Sequence, residues 1–350
     1  MSGAVSEAVT RVVNGAVNRA VDGAVNRAVD RTVRGAVSGV SRRAALASAL
    51  LLGVGACSSR GHRERLTIAT GGTGGVYYAL GEALAAVMRR RWDVDVVVTR
   101  SAASIENLHL VAAGRADLGF ASIDAVALAV AGHAPFLGRR PITSLALLYD
   151  DYLQFTTGAG DPIRRPADIS GTAVSVGAPE SGTELIVLRL LRTAGIEPSR
   201  LVRLGVADSA DAMRRGEIRG FFFSGGIPTP AIAALARSSP IRLLPLGAYV
   251  PALQREYDGV YVTRTVPANT YGLDADVSTI GVHNLLVANA AMPADLAYRI
   301  TKLLFESRGE LAATHAEARH LHERTAVFTE PVPLHPGAVR YYREVKYGVG

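Results

Sequence analysis

Two glycine-rich segments carry the plainest chemistry in this chain of 350 residues. Thr70-Gly71-Gly72-Thr73-Gly74-Gly75 precedes a segment of helical spacing. Glycine lets successive backbone N–H groups turn toward one concave point, and the helix N-terminus adds partial positive charge. The product is an anion cradle. A counterpart lies downstream in Gly177-Ala178-Pro179-Glu180-Ser181-Gly182-Thr183, where Ser181 or Thr183 can also cap the following helix. Neither is a nucleotide motif. The first lacks a terminal Gly-Lys-Ser/Thr, and a dinucleotide fingerprint from Gly72 needs glycine where Tyr77 stands. Tyr77 and Tyr78 open the first helix, where a ring can cover a ligand's carbon skeleton and its hydroxyl can fix a polar end; core packing is the competing role. Asn107 and Asp124 follow their strands and can reach the same edge, with capping and turn roles as the alternative.

Catalytic constellations are weaker. Ser181 sits in Pro-Glu-Ser-Gly-Thr and not in Gly-x-Ser-x-Gly, so a strained nucleophile elbow is not indicated, and a helix cap explains it better than a hydrolase does. His315, His320 and His322 lack the i, i+4 spacing of a helical zinc pair. Asp150 and Asp151 are adjacent in an extended stretch, which points their carboxylates to opposite faces and argues against paired acid/base work. The single cysteine, Cys57, excludes an internal disulfide framework and any multi-cysteine metal site. No catalytic residue, metal or cofactor is expected.

The elements that must position the loops follow a repeated grammar of strand, small-residue loop and helix. Residues 66–69 read as a strand, 77–91 as a helix with Leu80, Leu84 and Val87 on one side, 94–99 as a strand, 105–113 as a helix stopped by Gly114, and 116–122 as a third strand. Residues 145–157 run extended, and the grammar restarts with strands at 173–176, 201–204 and 220–223 and helices at 183–194, 207–215 and 230–237. A second long strand at 277–288 and helical sequence over 293–322 complete the chain. Repeated βαβ units imply largely parallel strands with helices on their faces, and the length exceeds what one core comfortably holds. The expected boundaries are 66–152 with 278–350 for one lobe and 153–277 for the other.

Hydrophobic residues make up 49% and charged residues 20%, which suits buried sheets and excludes a disordered chain. The net charge of +7 hints at nucleic acid. Residues 1–56, however, hold seven arginines against Glu7, Asp22 and Asp30, and the later arginines form no runs interleaved with aromatics, so nucleic acid is not an expected partner. Residues 4–37, within a low-complexity stretch at 1–40, repeat a small residue plus Val every four positions, a pattern that drifts around a helix and builds no core. Translation beginning near Val40 would account for it. Residues 41–57 combine Arg42 and Arg43 with an apolar run at 44–56, too short to span a bilayer, and end in Val54-Gly55-Ala56-Cys57. That tetrapeptide resembles a bacterial lipobox, whose cysteine receives a lipid anchor, and Ser41-Arg42-Arg43 weakly resembles a twin-arginine signal. Residues 58–65 read as a polar tether. An exported chain is expected, lipid-anchored at the outer face of the cytoplasmic membrane or in the periplasm.

From Leu66 to Tyr347 the chain resembles the TAXI class of TRAP-transporter solute receptors. The resemblance rests on Thr70 through Tyr78, Ser104-Ile105-Glu106-Asn107-Leu108, Gly177 through Glu184, Gly225 through Ile232 and Leu334 through Ala338, five segments in order. It implies an α/β chain with the two-lobed type II periplasmic-binding-protein fold: mixed, mostly parallel sheets flanked by helices, with a hinged cleft. It further implies capture of a small carboxylate, glutamate-like or 2-oxoglutarate-like, for an ion-driven TRAP membrane permease. Matching positions place Thr73, Gly74, Gly75, Tyr77, Tyr78, Ser104, Asn107, Asp124, Ser181, Gly182, Thr183 and Gly225 at the site. The chain departs from the pattern with Arg100-Ser101-Ala102-Ala103 in place of a Thr-Gly-rich turn, and with Ser122 where Gln is common. Arg100 would supply a charge partner for a carboxylate, and Ser101 joins the expected contacts. The same fold used as a sensor for a signalling partner is the alternative.

Overall fold

The computed structural model describes residues 64–347. The leader, the lipobox cysteine and most of the tether lie outside them. The first strand, β1 (Glu64–Ala69), begins inside the segment expected as tether. It is followed by α1 (Val76–Arg91), β2 (Val94–Thr99), α2 (Ser104–Ala112), β3 (Leu118–Ser122) and α3 (Ile123–Ala131). β1 pairs in parallel with both β2 and β3. Helix α1 shows why these segments fold locally. Leu80, Leu84, Val87 and Met88 recur on its buried side, Arg89, Arg90 and Arg91 fill the last turn where the helix dipole favours cations, and no proline interrupts it.

A 17-residue strand, β4 (Ile142–Gly158), then leads into a second βα set. This comprises β5 (Ala173–Ser175), α4 (Gly182–Ala194), β6 (Arg200–Val202), α5 (Val206–Arg214), β7 (Gly220–Gly225) and α6 (Pro230–Ser238). β5 pairs in parallel with β6 and β7. After β8 (Ile241–Leu243), α7 (Val250–Glu256) and β9 (Tyr261–Val266), the chain returns along β10 (Val277–Asn289). It closes with α8 (Ala294–Glu306), α9 (Arg308–Thr314) and α10 (Pro336–Tyr347).

All ten strands of the described residues belong to one mixed sheet, ordered β2-β1-β3-β10-β4-β7-β5-β6 with β8 on β4 and β9 on β10. Parallel pairing is confined to the two ends. The middle is antiparallel, because β4 and β10 pair along most of their lengths, from Gly281 opposite Tyr152 to Asn289 opposite Ile142. One half of β10 also pairs with β3, and the later half of β4 pairs with β7. The two lobes are therefore two ends of one sheet, joined by strands that run from one into the other. At their junction β4 bulges: Asn284 faces Tyr149 while the next residue, Leu285, faces Leu147.

Helices cover the sheet on both faces. Leu84, Met88, Ile300, Leu304 and Tyr342 pack on one side of the first lobe. Leu108, Val111 and Val126 on the other side are continuous with Ile186 and Leu190 of α4, so one apolar layer runs through both lobes. Phe221, Ile232 and Leu235 form a smaller core in the second. The helical run expected over 293–322 is broken. His315 takes an extended conformation between α9 and a 3-10 turn at Ala316–His320, and its Nδ1 accepts the Glu317 N–H at 3.3 Å. Among the described residues no helix is long and apolar enough to cross a membrane.

Candidate functional site

The two glycine loops meet at a single cavity of about 310 Å³. Gly71, Gly72 and Gly75 line it from the first lobe, and Gly177, Ala178 and Gly205 from the second. Four helices begin at its walls: α1 at Val76 and Tyr77, α2 at Ser104, α4 at Gly182 and Thr183, and α5 at Val206. Only α4 has a side-chain cap among these, Ser181 Oγ accepting the Glu184 N–H at 3.0 Å while donating to the Ala178 carbonyl at 2.7 Å. The first turn of α1 thus brings backbone donors and partial positive charge to the cavity with no acidic side chain in it, whereas Glu106 and Asp208 stand in the first turns of α2 and α5.

Glycine is required at two of these positions. Gly177 has φ +99°, and a Cβ there would stand 2.7 Å from Thr183 Cβ. At Gly182 a Cβ would meet Ser104 Oγ at 2.7 Å and Ser122 Oγ at 2.8 Å, so α4 starts directly against the first lobe. Two more contacts close the same seam. The Ile105 N–H donates to the Glu180 carbonyl at 3.1 Å, and space for a methyl on Gly74 ends 3.4 Å from Val206 Cγ1.

The cavity floor is polar and comes from the long strands. Tyr149 and Asp151 of β4 line it with Ser224 of β7 and Tyr77. The Tyr77 hydroxyl donates to Asn284 Oδ1 on β10 and stacks its ring on Phe120 at 5.4 Å. Ser224 Oγ reaches Asp151 Oδ2 at 3.4 Å, whereas Asp151 Oδ1 and the Tyr149 hydroxyl have no hydrogen-bond partner. Burial pushes the Asp151 carboxyl well above the carboxylate range; the charge of Glu317 pushes the same way, against the lesser pull of Asn284 and Ser224. Burial and then the Asp151 charge likewise raise the Tyr149 and Tyr77 hydroxyls. Asp150, one residue earlier, points the other way: Arg264 Nε donates to it at 2.6 Å and His283 pairs with it. Against the upward push of burial, those partners hold Asp150 below its ordinary value. The opposite-face expectation for this pair therefore holds, and it puts Asp151 in the cleft, a residue that sequence reasoning did not choose.

Of the residues expected at the site, Gly75, Tyr77, Ser101, Ser104, Ser181, Gly182, Thr183 and Gly225 line the cavity. Thr73, Gly74, Tyr78, Arg100, Asn107 and Asp124 do not. Thr73 and Arg100 are exposed, and Gly74 and Tyr78 are half-buried. Asn107 is buried one layer behind. Its amide donates to the Thr70 and Phe120 carbonyls and its Oδ1 accepts from Ser101 Oγ at 2.6 Å, which ties the Thr70 loop to the Ser101 turn. Asp124 is 1% exposed and faces away from the cavity's lining. It accepts the Tyr261 hydroxyl at 2.7 Å and pairs with Arg189 of α4 at 3.7 Å, so it latches α3 to the second lobe. Ile227 N–H to Glu317 Oε1 at 2.9 Å ties the C-terminal segment to the loop after β7. Among the described residues no cluster of three potential metal ligands occurs.

The NMT1-like family matches residues 68–345. Among solved structures, the chain is similar to the periplasmic aliphatic sulphonate binding protein SsuA from Escherichia coli (18% identity, TM-score 0.46, covering 80% of this chain and 83% of that one). It is also similar to the alkanesulfonate-binding protein SsuA from Xanthomonas axonopodis pv. citri bound to MOPS (15%, 0.43, 80% and 83%). A third similarity is to the ligand-binding component of an ABC-type import system from Staphylococcus aureus with zinc bound (11%, 0.45, 80% and 84%).

Proposed function

The chain belongs to the NMT1-like family, and we propose that it is an exported, non-catalytic solute receptor that closes two lobes on one small organic molecule. The observation that carries the reading is that both glycine loops and four helix starts share one cavity of about 310 Å³, within the size range of small-molecule sites. Residues 66–152 with 278–350 form one lobe and 153–277 the other, and the cavity lies where they meet. Helix N-termini favour a carboxylate on the solute. In this reading the solute passes to an ion-driven permease of the TRAP type, as the TAXI resemblance implies, and Cys57 carries the lipid that holds the receptor at the membrane.

Calorimetry with the refolded, solute-free chain against a panel of organic acids and amino acids should find at least one ligand with a dissociation constant of roughly micromolar or tighter. Flat titrations across the panel, with the protein folded by circular dichroism, would defeat the receptor reading.

A further inference from the structure

We infer that the cleft selects a small zwitterion of no net charge, seating its ammonium group on Asp151 and Tyr149 and its carboxylate at the open helix N-termini. The inference rests on the receptor reading above and narrows its ligand.

The walls contain two carboxylates, Asp151 and the rim residue Asp208, and no lysine, arginine or histidine side chain. An anion therefore finds backbone dipoles and neutral hydroxyls here but no cationic side chain, and a dianion brings a second negative charge toward Asp151. Asp151 is 5% exposed and Tyr149 2%. Asp151 Oδ1 and the Tyr149 hydroxyl make no well-formed hydrogen bond, their only recourse being each other and the Asn284 amide, and both residues border the cavity. Buried polar atoms without partners are costly to keep. A solute that donates hydrogen bonds there removes that cost, and an ammonium also supplies the missing countercharge.

The groups around Asp151 sharpen the choice. Tyr149, Tyr77, Ser224 and Asn284 are neutral, and Glu317 and Asp150 are acidic. The nearby basic side chains, Arg264 and His283, are engaged by Asp150 on the opposite face of β4. No cation on the cleft side competes for the ammonium's position; the neutral Asn284 amide, whose Nδ2 also lacks a partner, is the donor that pulls on Asp151 from this side. The uncapped start of α1, with no acidic residue in its first turn, borders the same space, so both ends of a zwitterion have a complement within it.

The test compares solutes that differ only at this group. The stripped full chain is titrated with the common α-amino acids and with the 2-oxo acid of each, which keeps the skeleton and carboxylate but not the ammonium. At least one uncharged-side-chain amino acid should bind ~100-fold more tightly than its oxo acid. Asp151→Asn should shrink that preference to within about threefold, and Tyr149→Phe should weaken amino-acid binding several-fold. In wild type, titrations in buffers of different ionisation enthalpy should show proton release, because the ammonium displaces the proton of Asp151. That readout stands if Asp151→Asn fails to fold. Oxo acids or dicarboxylates binding as tightly as amino acids, or proton uptake on binding, overturn the inference and leave the receptor standing. Silence from every solute overturns the receptor itself.

Discussion

Removing one oxygen from Tyr261 should loosen the contact between the lobes by a measurable amount. Tyr261 is fully buried, and its hydroxyl stands between two charges: it donates to Asp124 at 2.7 Å and accepts from Arg189 Nη1 at 2.7 Å. Tyr261→Phe keeps the ring and its edge-on contact with Tyr257 at 6.1 Å. It deletes two hydrogen bonds to charged groups, each worth about 1.5–3 kcal/mol. Part of this returns, because Asp124 and Arg189 are already 3.7 Å apart and can close on each other, Asp124 keeps the Ala125 N–H at 2.8 Å, and Arg189 stays over the Tyr257 ring at 4.4 Å. The net loss should be about 2 kcal/mol, or roughly 3 °C in melting temperature for a chain of this size. Thermal unfolding followed by circular dichroism measures it. Asp124→Asn alone should cost a similar amount, and the double substitution should cost clearly less than the two together because they break one network. A Tyr261→Phe protein melting within about 1 °C of its parent, or strict additivity with Asp124→Asn, would refute the latch.

Gly182→Ala should hold the lobes apart, since its methyl would press on Ser104 and Ser122; an overpacking cost of about 1–3 kcal/mol predicts solute affinity weakened ~5- to 150-fold and a larger radius of gyration by X-ray scattering. Asp151 has a folded-state pKa above its unfolded value, so the native chain holds a proton that the unfolded chain releases, and stability falls as pH rises from the ordinary carboxylate value to the folded one. Asp151→Asn removes that loss: solute-free protein melted at stepped pH should show the variant gaining on wild type as pH rises, at most about 1.4 kcal/mol per pH unit. Ser181→Ala should cost about 1 kcal/mol as a lost helix cap, and a serine-reactive probe should leave wild type unlabelled; stoichiometric labelling at Ser181 would revive a hydrolase.

The repeated βα units were readable because apolar spacing, glycine stops and small-residue loops agree along each segment, and the loops they deliver meet where strand-end logic puts them. What stayed hidden depends on partners far away in sequence. Asp151 reads as half of an adjacent pair on opposite faces; which face becomes the cleft is decided by the bulge at Leu148 and by Asn284, brought alongside on β10. Asp124 looks like a cleft residue when it ends a strand. It instead lies in the first turn of α3, whose sequence Ile123–Ala131 offers only apolar and small residues besides Asp124 itself. Its direction is set by Tyr261, 137 positions later. Asn107 lies behind the Thr70 loop, and its amide is spent on the Thr70 and Phe120 carbonyls, which leaves it nothing for a solute.

Because β4 and β10 thread both halves without leaving the sheet, the link between the lobes is a pleated ribbon and not a pair of slack tethers. Such a ribbon resists sliding and yields mainly to twist, and its ladder is interrupted twice, at the displaced residue beside Tyr149 and again between Leu286 and Val287. Opening and shutting should therefore follow one torsional path, with the acidic floor riding on the axle itself. A solute that grips Asp151 would act on the pivot as well as on the jaws.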